Sequence, residues 1–137
     1  MIIKQLSAAI ENKAGFVWKV FQTLGDHDVN VLSYSIADQN DKAGVLRLIV
    51  DNLNRAEAAL KEIGITTHTD DVYALAIPNV TGSMAEVLRR IADNEVSIHY
   101  MYALQYTGGL SQAIIHADDM ERLRKVLTEY ELETKFQ

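Results

Sequence analysis

Two short polar stretches have the residue types of an anion-binding turn. Residues 12–15 read Asn-Lys-Ala-Gly and residues 79–82 read Asn-Val-Thr-Gly, and each lies between a short apolar run and an amphipathic segment. Glycine at such a strand-to-helix turn permits a positive φ and lets another backbone or a ligand come close. The first N–H groups of the following helix have no partner within it, so the turn can accept an anion. The alternative is a plain helix entry with Asn near the N-cap, but two equivalent turns favour a functional role.

Other residue types that carry chemistry are not arranged for catalysis. His27 and His68 are expected in solvent, whereas His99 and His116 fall on neighbouring predicted strands and are expected to share one face. No pair of histidines has the spacing of metal ligands, so we interpret His99 and His116 as pocket or interface residues. The sequence has no nucleophile elbow, no Walker loop and no GxGxxG motif. No carboxylate pair stands out as general acid and base. We therefore predict a protein without enzymatic activity, cofactor or metal.

An ungapped internal repeat positions the two turns. A shift of the chain by 67 positions, the separation of Gly15 and Gly82, superimposes the halves without an insertion. Identical residues then coincide at Ala9 and Ala76, Ile10 and Ile77, Asn12 and Asn79, Val20 and Val87, Asp26 and Asp93, Val29 and Val96, Asp51 and Asp118, Arg55 and Arg122, and Leu60 and Leu127. Each half is therefore one copy of the same unit, and we predict domains at residues 1–70 and 71–137.

Hydrophobic periodicity predicts the elements of each unit. Apolar residues recur at helical spacing after each glycine, and β-branched and aromatic runs indicate strands. The predicted strands are residues 2–10, 29–36, 44–50, 65–69, 73–78, 96–104, 110–117 and 132–136; the predicted helices are 15–26, 55–63, 82–93 and 120–130. This order predicts an α+β protein of two ferredoxin-like βαββαβ units, with antiparallel sheets and helices on one face. A very short join is expected around residues 69–71.

The predicted sheet face opposite the helices is partly apolar. Alternation along the strands assigns Leu32, Tyr34, Ile36, Val45 and Ile49 to this face. An antiparallel sheet exposed to water is polar on its outer side, so another unit or another chain is expected to cover it. A homodimer is the predicted assembly.

Composition excludes several classes of protein. The net charge is −6, and the basic residues are scattered among acidic ones, so no basic face for nucleic acid is expected. No apolar run is long enough to cross a bilayer, and the N-terminus does not read as a signal peptide. The absence of cysteine excludes disulfides and is compatible with a reducing cytoplasm, which is the predicted location.

The repeated unit resembles the ACT domain, and the resemblance covers the chain as a tandem pair. It rests on the two ungapped βαββαβ units, the two Asn-x-x-Gly turns, and the motif of residues 29–31 (Val-Asn-Val), repeated at residues 96–98 (Val-Ser-Ile). Members of that family commonly carry proline before the turn glycine, where this sequence has Ala14 and Thr81.

The resemblance implies a regulatory protein that senses a free amino acid. ACT domains typically pair and bind a small effector between the glycine turn of one unit and the second strand of its partner. Carried over to this sequence, the ligand-binding residues are Asn12, Ala14, Gly15, Phe16, Leu32, Ser33, Asn79, Thr81, Gly82, Ser83, His99 and Tyr100. No room is left for a catalytic domain, so the protein is expected to act alone or on a partner. The alternatives are a regulatory subunit of an amino-acid biosynthetic enzyme, similar to the small subunit of acetolactate synthase, and, ranked last, a small enzyme on a ferredoxin-like scaffold.

Overall fold

The computed structural model describes residues 1–107 and 109–134 of the chain. It contains six strands and four helices in these residues. The strands are β1 (Ile2–Glu11), β2 (Val31–Asp38), β3 (Ala43–Val50), β4 (Thr67–Pro78), β5 (Ile98–Thr107) and β6 (Leu110–Ala117); the helices are α1 (Phe16–Asp26), α2 (Leu53–Glu62), α3 (Ser83–Asp93) and α4 (Met120–Thr134). The predicted βαββαβ order and the α+β fold class are confirmed.

The first compact unit comprises Lys4–Asp70. Its antiparallel sheet has the order β2-β3-β1, and β1 is bonded on its other side near the start of β4, where the Ala9 N–H donates to the Thr66 carbonyl over 3.1 Å. One face of this sheet packs against the apolar stripes of α1 and α2. The core consists of Leu6, Ala8, Ile10, Val20, Leu24, Val29, Leu46, Leu48, Ala56, Leu60 and Ile65.

The second compact unit comprises Asp71–Gln137 together with Met1–Ile3. Its strands follow the order β5-β6-β4, and the first residues of the chain lie beside β4, since the Ala74 N–H donates to the Met1 carbonyl over 2.9 Å. The core again lies between the sheet and two helices; its members are Tyr73, Leu75, Ile77, Val87, Ile91, Val96, Ala113, Ile115, Ala117, Leu123, Val126, Leu127 and Tyr130. Residues 1–3 thus occupy the place expected for a strand at the C-terminus.

The predicted strand at residues 132–136 is wrong. Helix α4 continues through Leu132 to Thr134, and residues 135–136 lie outside the described residues. In the first unit Gly64, at φ +78°, follows the end of α2. The equivalent residue is Glu131, which has no need of that conformation, so α4 gains another turn with Tyr130 buried beneath it.

The short join predicted around residues 69–71 is also wrong. A single strand, β4, runs from Thr67 to Pro78 where two strands were expected. Residues 69–71 are Thr-Asp-Asp, and this stretch contains no glycine or proline that would interrupt an extended backbone. The boundary between the two units, at Asp70 and Asp71, therefore lies within β4. The connection between the predicted strands at residues 96–104 and 110–117 includes Gly108, which lies outside the described residues.

The repeat extends to individual hydrogen bonds. Asp51 Oδ1 accepts from the Asn30 N–H over 2.9 Å, and Asp118 Oδ1 accepts from the Ser97 N–H over 3.0 Å. Asn52 and Asp119 cap α2 and α4 in the same way, through the N–H groups of Arg55 and Arg122. The sequence identities between the halves therefore include residues that fix the start of the second strand.

A bulge in β2 changes the predicted composition of the outer sheet face. Leu32 is an extra residue between the pairs Val31–Val50 and Ser33–Ile49. Beyond it, Tyr34 pairs with Leu48 and Ile36 pairs with Leu46, so both side chains lie on the helix face at the sheet edge. The prediction that Tyr34 and Ile36 lie on the outer face is wrong, because a one-residue bulge reverses the alternation after it. Tyr34 instead contacts the Phe21 ring of α1, with centroids 5.5 Å apart.

The phenol of Tyr73 anchors α4 to the sheet of its own unit. Its hydroxyl donates to Glu131 Oε1 over 2.7 Å, and the N-terminal ammonium lies 3.5 Å from the same oxygen. Burial, with a smaller contribution from the Glu131 carboxylate, raises the pKa of Tyr73 to about 12. The helical extension is therefore held by a hydrogen bond to a charged acceptor.

We expect Tyr73→Phe to reduce the free energy of unfolding by roughly 1.5–3 kcal/mol near neutral pH, the range for hydrogen bonds to charged groups. An unfolded tyrosine ionises near pH 10, whereas Tyr73 keeps its proton in the folded state up to about pH 12. The wild-type protein should therefore lose stability as pH rises through this window, and Tyr73→Phe should lose less. Urea unfolding of wild type and Tyr73→Phe across the window tests this. An equal alkaline loss in wild type and Tyr73→Phe would contradict it.

Candidate functional site

The two glycine turns have the same backbone geometry. Gly15 has φ +85° and Gly82 has φ +87°, and each is the N-cap of the helix that follows, without a side-chain cap. In the first turn the Phe16 N–H donates to the Lys13 carbonyl, and in the second the Ser83 N–H donates to the Val80 carbonyl. Both turns thus depend on one residue in the left-handed conformation, which glycine adopts without steric cost. The N–H groups at the second and third positions of each helix have no partner within the helix.

Asn12 fastens the first turn to the β2–β3 hairpin. Its Nδ2 donates to the Asn40 carbonyl over 2.8 Å and to the Ala43 carbonyl over 3.3 Å, while its own N–H donates to the Lys42 carbonyl. Asn79 N–H donates to the Gly109 carbonyl in the equivalent place, over 2.8 Å. The asparagine that sequence analysis assigned to a ligand therefore has a structural role at the first turn.

The first glycine turn borders a basic and aromatic cleft. This cleft has a volume of about 280 Å³ and is lined by Lys13, Ala14, Gly15, Phe16, Trp18 and Lys19. Lys13 Nζ lies 5.9 Å from the Phe16 ring centroid and 3.0 Å from Glu11 Oε2, a carboxylate outside the lining. Trp18, on α1, is 67% exposed. The cleft offers positive charge and ring surface.

The second glycine turn borders a larger cleft that contains both signs of charge. Its volume is about 400 Å³, and α3 and the end of α4 form its walls. The lining residues are Pro78, Thr81, Gly82, Ser83, Glu86, Arg90, Tyr130, Glu133 and Thr134. Thr81, Gly82 and Ser83 were predicted as ligand contacts, and this cleft brings them together.

Arg90 is the centre of charge in the second cleft. Its Nη1 lies 2.6 Å from Glu133 Oε2, its Nε lies 3.3 Å from Glu86 Oε1, and its guanidinium lies 5.3 Å from the Tyr130 ring centroid. Hydrogen bonds from Arg89 and then Arg90 hold the pKa of Glu86 below its ordinary value, and the bond to Glu133 raises the pKa of Arg90. The lining of the cleft therefore contains one cation, Arg90, and two carboxylates. Sequence analysis did not single out these residues, although the Glu86–Arg90 spacing of i, i+4 was a signal.

The predicted contacts on the second strands lie elsewhere in each unit. Leu32 is the exposed bulge residue and Ser33 is buried, and both lie at the start of β2. The first glycine turn lies beyond the end of β1, beside the last residues of β2. These ends are about 20 Å apart at the usual rise of a strand, so one unit does not bring its own turn and bulge together.

His99 and Tyr100 occupy the equivalent place in the second unit. His99 is exposed, and the Tyr100 ring stacks on His116 with centroids 4.9 Å apart. The two histidines share one sheet face, as the strand alternation predicted, with their Nδ1 atoms 3.2 Å apart. The second glycine turn follows the end of β4, whereas this pair lies near the start of β5.

Two further features concern the described residues as a whole. In residues 1–107 and 109–134, no group of three His, Cys, Asp or Glu side chains is placed to hold a metal ion. Within the same ranges, no helix combines the length and the apolar character that crossing a membrane requires.

Comparisons with known proteins agree with this architecture. The family model described as an ACT domain pair matches residues 1–136. Protein BT0572 of Bacteroides thetaiotaomicron is 33% identical, with a TM-score of 0.88 over 96% of this chain and 90% of that chain. The regulatory subunits of aspartate kinase from Thermus thermophilus and Thermus flavus are 16% and 17% identical, with TM-scores of 0.68 and 0.62 over 94% of this chain and 94% of each subunit. A search of curated proteins gave no match.

The two kinase subunits share the fold, while the family match and the 33% identical protein establish descent. The ungapped repeat, the paired βαββαβ units and the two left-handed glycine turns are the features that this match spans. The chain belongs to the ACT domain pair family.

Proposed function

We propose that the protein binds a free amino acid in the cleft beside Gly82 and acts as a regulatory sensor. The observation that carries this proposal is the combination, in one cleft, of a helix start with a glycine cap and side chains of both charge signs. An α-amino acid is a zwitterion, so its site needs donors for the carboxylate and acceptors for the ammonium group. The cleft beside Gly15 has two lysines but no carboxylate in its lining, which makes it the weaker candidate.

The proposed binding mode is an exchange of ion pairs. The ligand carboxylate takes the N–H groups at the start of α3 and one side of the Arg90 guanidinium. The ligand ammonium takes Glu133, which pairs with Arg90 before binding, or Glu86, which pairs with both Arg89 and Arg90. Because every charge keeps a partner before and after binding, the desolvation cost of an unpaired ion is avoided.

The regulatory step is proposed to involve a second unit. The contacts implied for Leu32, Ser33, His99 and Tyr100 require a glycine turn and a second strand from different units, because each unit keeps these features at opposite ends. A ligand that bridges two units stabilises the arrangement in which both contacts are made. Such a bridge converts the concentration of an amino acid into a change of assembly.

A thermal and calorimetric screen of the standard amino acids tests the proposal. A ligand that binds only the folded state adds about 2.7 kcal/mol at a hundredfold excess over Kd. For a chain of 137 residues this should raise the melting temperature by several degrees. The sensing proposal would be wrong if no amino acid at millimolar concentration gave a heat of binding in calorimetry or a rise in melting temperature.

We also propose that the protein is a homodimer that pairs through β2. This strand lies at the edge of its sheet and exposes Leu32, Tyr34 and Ile36, with Trp18 exposed on the neighbouring helix. Asp38 is the only charged residue of β2, so the strand lacks the charges that usually protect a sheet edge. The sequence-based prediction of a dimer depended on an apolar outer sheet face. The present proposal depends on the exposed edge strand instead, because the bulge places Tyr34 and Ile36 on the helix side of that edge.

A second candidate function is that of a regulatory subunit of an amino-acid biosynthetic enzyme. The observation that favours it is the match in length to two aspartate kinase regulatory subunits, which the alignment covers to 94%. Affinity purification of the tagged protein from its own cells tests this. Recovery of a catalytic subunit whose activity responds to the bound amino acid supports the candidate, and recovery of the protein alone contradicts it.

A further inference from the structure

A β-bulge brings two imidazoles of the second unit together. His116 on β6 pairs with Tyr100, and His99 is the extra residue between Ile98 and Tyr100 on β5. The side chain of a bulge residue is re-aimed relative to the regular alternation, and here it meets His116, with the two Nδ1 atoms 3.2 Å apart. The contact thus follows from the backbone register.

One histidine is held in place and the other is open to solvent. The Tyr100 ring stacks on His116 at 4.9 Å with an interplanar angle of 5°, and Tyr102 continues the stack at 6.5 Å. His116 is half-buried, whereas His99 is exposed. A small ion can therefore approach the two Nδ1 atoms from the His99 side without displacing the stack.

The distance between the nitrogens fits a metal ion shared by both rings. With bonds of about 2.0–2.1 Å, a metal ion holds two imidazole nitrogens about 2.9 Å apart at a right angle and about 3.4 Å apart at the tetrahedral angle. The observed 3.2 Å lies between these values. We propose that His99 and His116 chelate one divalent transition-metal ion through their Nδ1 atoms, with water completing the coordination.

Proton balance requires a change of tautomer only. In the neutral pair, one Nδ1 carries the hydrogen that the other accepts, and that hydrogen moves to Nε2 of the same ring when the metal binds. Imidazole nitrogen selects copper, nickel and zinc over calcium and magnesium, and the expected order of affinity is copper above nickel and zinc. In the described part of the chain no third His, Cys, Asp or Glu is placed to complete the site, so the ion is expected to exchange readily.

The repeat predicts one ion per chain. The residues equivalent to His99 and His116 in the first unit are Leu32 and Ile49, which cannot bind metal. The two units therefore differ at the same positions of the same strands. A stoichiometry of one distinguishes this pair from scattered surface binding.

Titration calorimetry with Ni²⁺ alone, and again with Zn²⁺, tests the proposal. The wild-type protein should bind one ion per chain, and His99→Gln and His116→Gln should each weaken binding at least tenfold. The matched control is His68→Gln, because His68 is an exposed histidine with a carboxylate, Asp70, 3.2 Å away. This control should stay within twofold of wild type. Binding that survives both pair substitutions, or no binding at millimolar Ni²⁺, would overturn the proposal.

A second measurement uses the wild-type protein, so its result does not depend on whether the variants fold. Substoichiometric Cu²⁺ should broaden the imidazole NMR resonances of two of the four histidines, and these should be His99 and His116. Equal broadening of all four, or broadening of His27 and His68 first, would contradict the site.

Discussion

Replacing Gly82 with valine should abolish the rise in melting temperature that the amino acid produces. The valine side chain would project from the residue that caps α3, beside the N–H groups proposed to bind the carboxylate. A Cβ at this position has no neighbour within 4 Å, so the substitution blocks the approach of a ligand without a clash inside the protein. We expect affinity to fall by about a hundredfold or more, which corresponds to about 2.7 kcal/mol.

Backbone strain must be separated from loss of the site. Gly82 has φ +87°, a conformation that costs other residues roughly 1–2 kcal/mol, so the variant should also melt at a lower temperature. Gly64→Val is the matched control, because Gly64 has φ +78°, also has no neighbour within 4 Å, and lies outside the lining of both glycine clefts. It should be destabilised by a similar amount and still respond to the amino acid. Equal loss of response in both variants would assign the effect to strain.

Gly15→Val separates the two clefts. If the cleft beside Gly82 is the principal site, this variant should keep most of the calorimetric response. A response lost in Gly15→Val and kept in Gly82→Val would place the ligand in the basic cleft instead.

The sequence was sufficient for the features that the repeat encodes. Asp51 and Asp118, or Gly15 and Gly82, perform the same local task in each half, so identity at a constant offset predicted both the elements and the turns. Apolar spacing then predicted amphipathic helices, because a helix stripe and a strand face have fixed periods.

Features that depend on one residue or on distant segments were not predictable in this way. The bulges at Leu32 and His99 reverse the strand alternation, but nothing in a short β-branched run marks the position of an extra residue. The second cleft joins Arg90 of α3 to Glu133 of α4, and α4 was expected to end before that residue. One signal for the longer helix was present in the sequence. The first unit has Gly64 just after the end of α2, whereas the equivalent position in the second unit is Glu131, which does not end a helix.

Replacing Ile36 with lysine should convert the proposed dimer into a monomer. In a dimer with twofold symmetry each substitution occurs twice at the interface. Fully burying an isoleucine side chain contributes about 1.5–3 kcal/mol, and about half of Ile36 is still exposed in the single chain, so two copies contribute about 1.5–3 kcal/mol, or roughly tenfold to a hundredfold in the dimer Kd. A lysine on an edge strand also opposes pairing because its charge would be desolvated.

The folded chain itself should tolerate the change. Ile36 is 48% exposed, so the lysine ammonium can reach water, and the stability of the monomer should change little. Leu132→Lys is the matched control, since Leu132 is 54% exposed on α4 of the other unit and is not a residue of β2. Sedimentation at micromolar concentration should give twice the mass of one chain for wild type and Leu132→Lys, and the mass of one chain for Ile36→Lys. A wild-type monomer under these conditions would contradict the dimer, and a dimer that persists in Ile36→Lys would remove β2 from its interface.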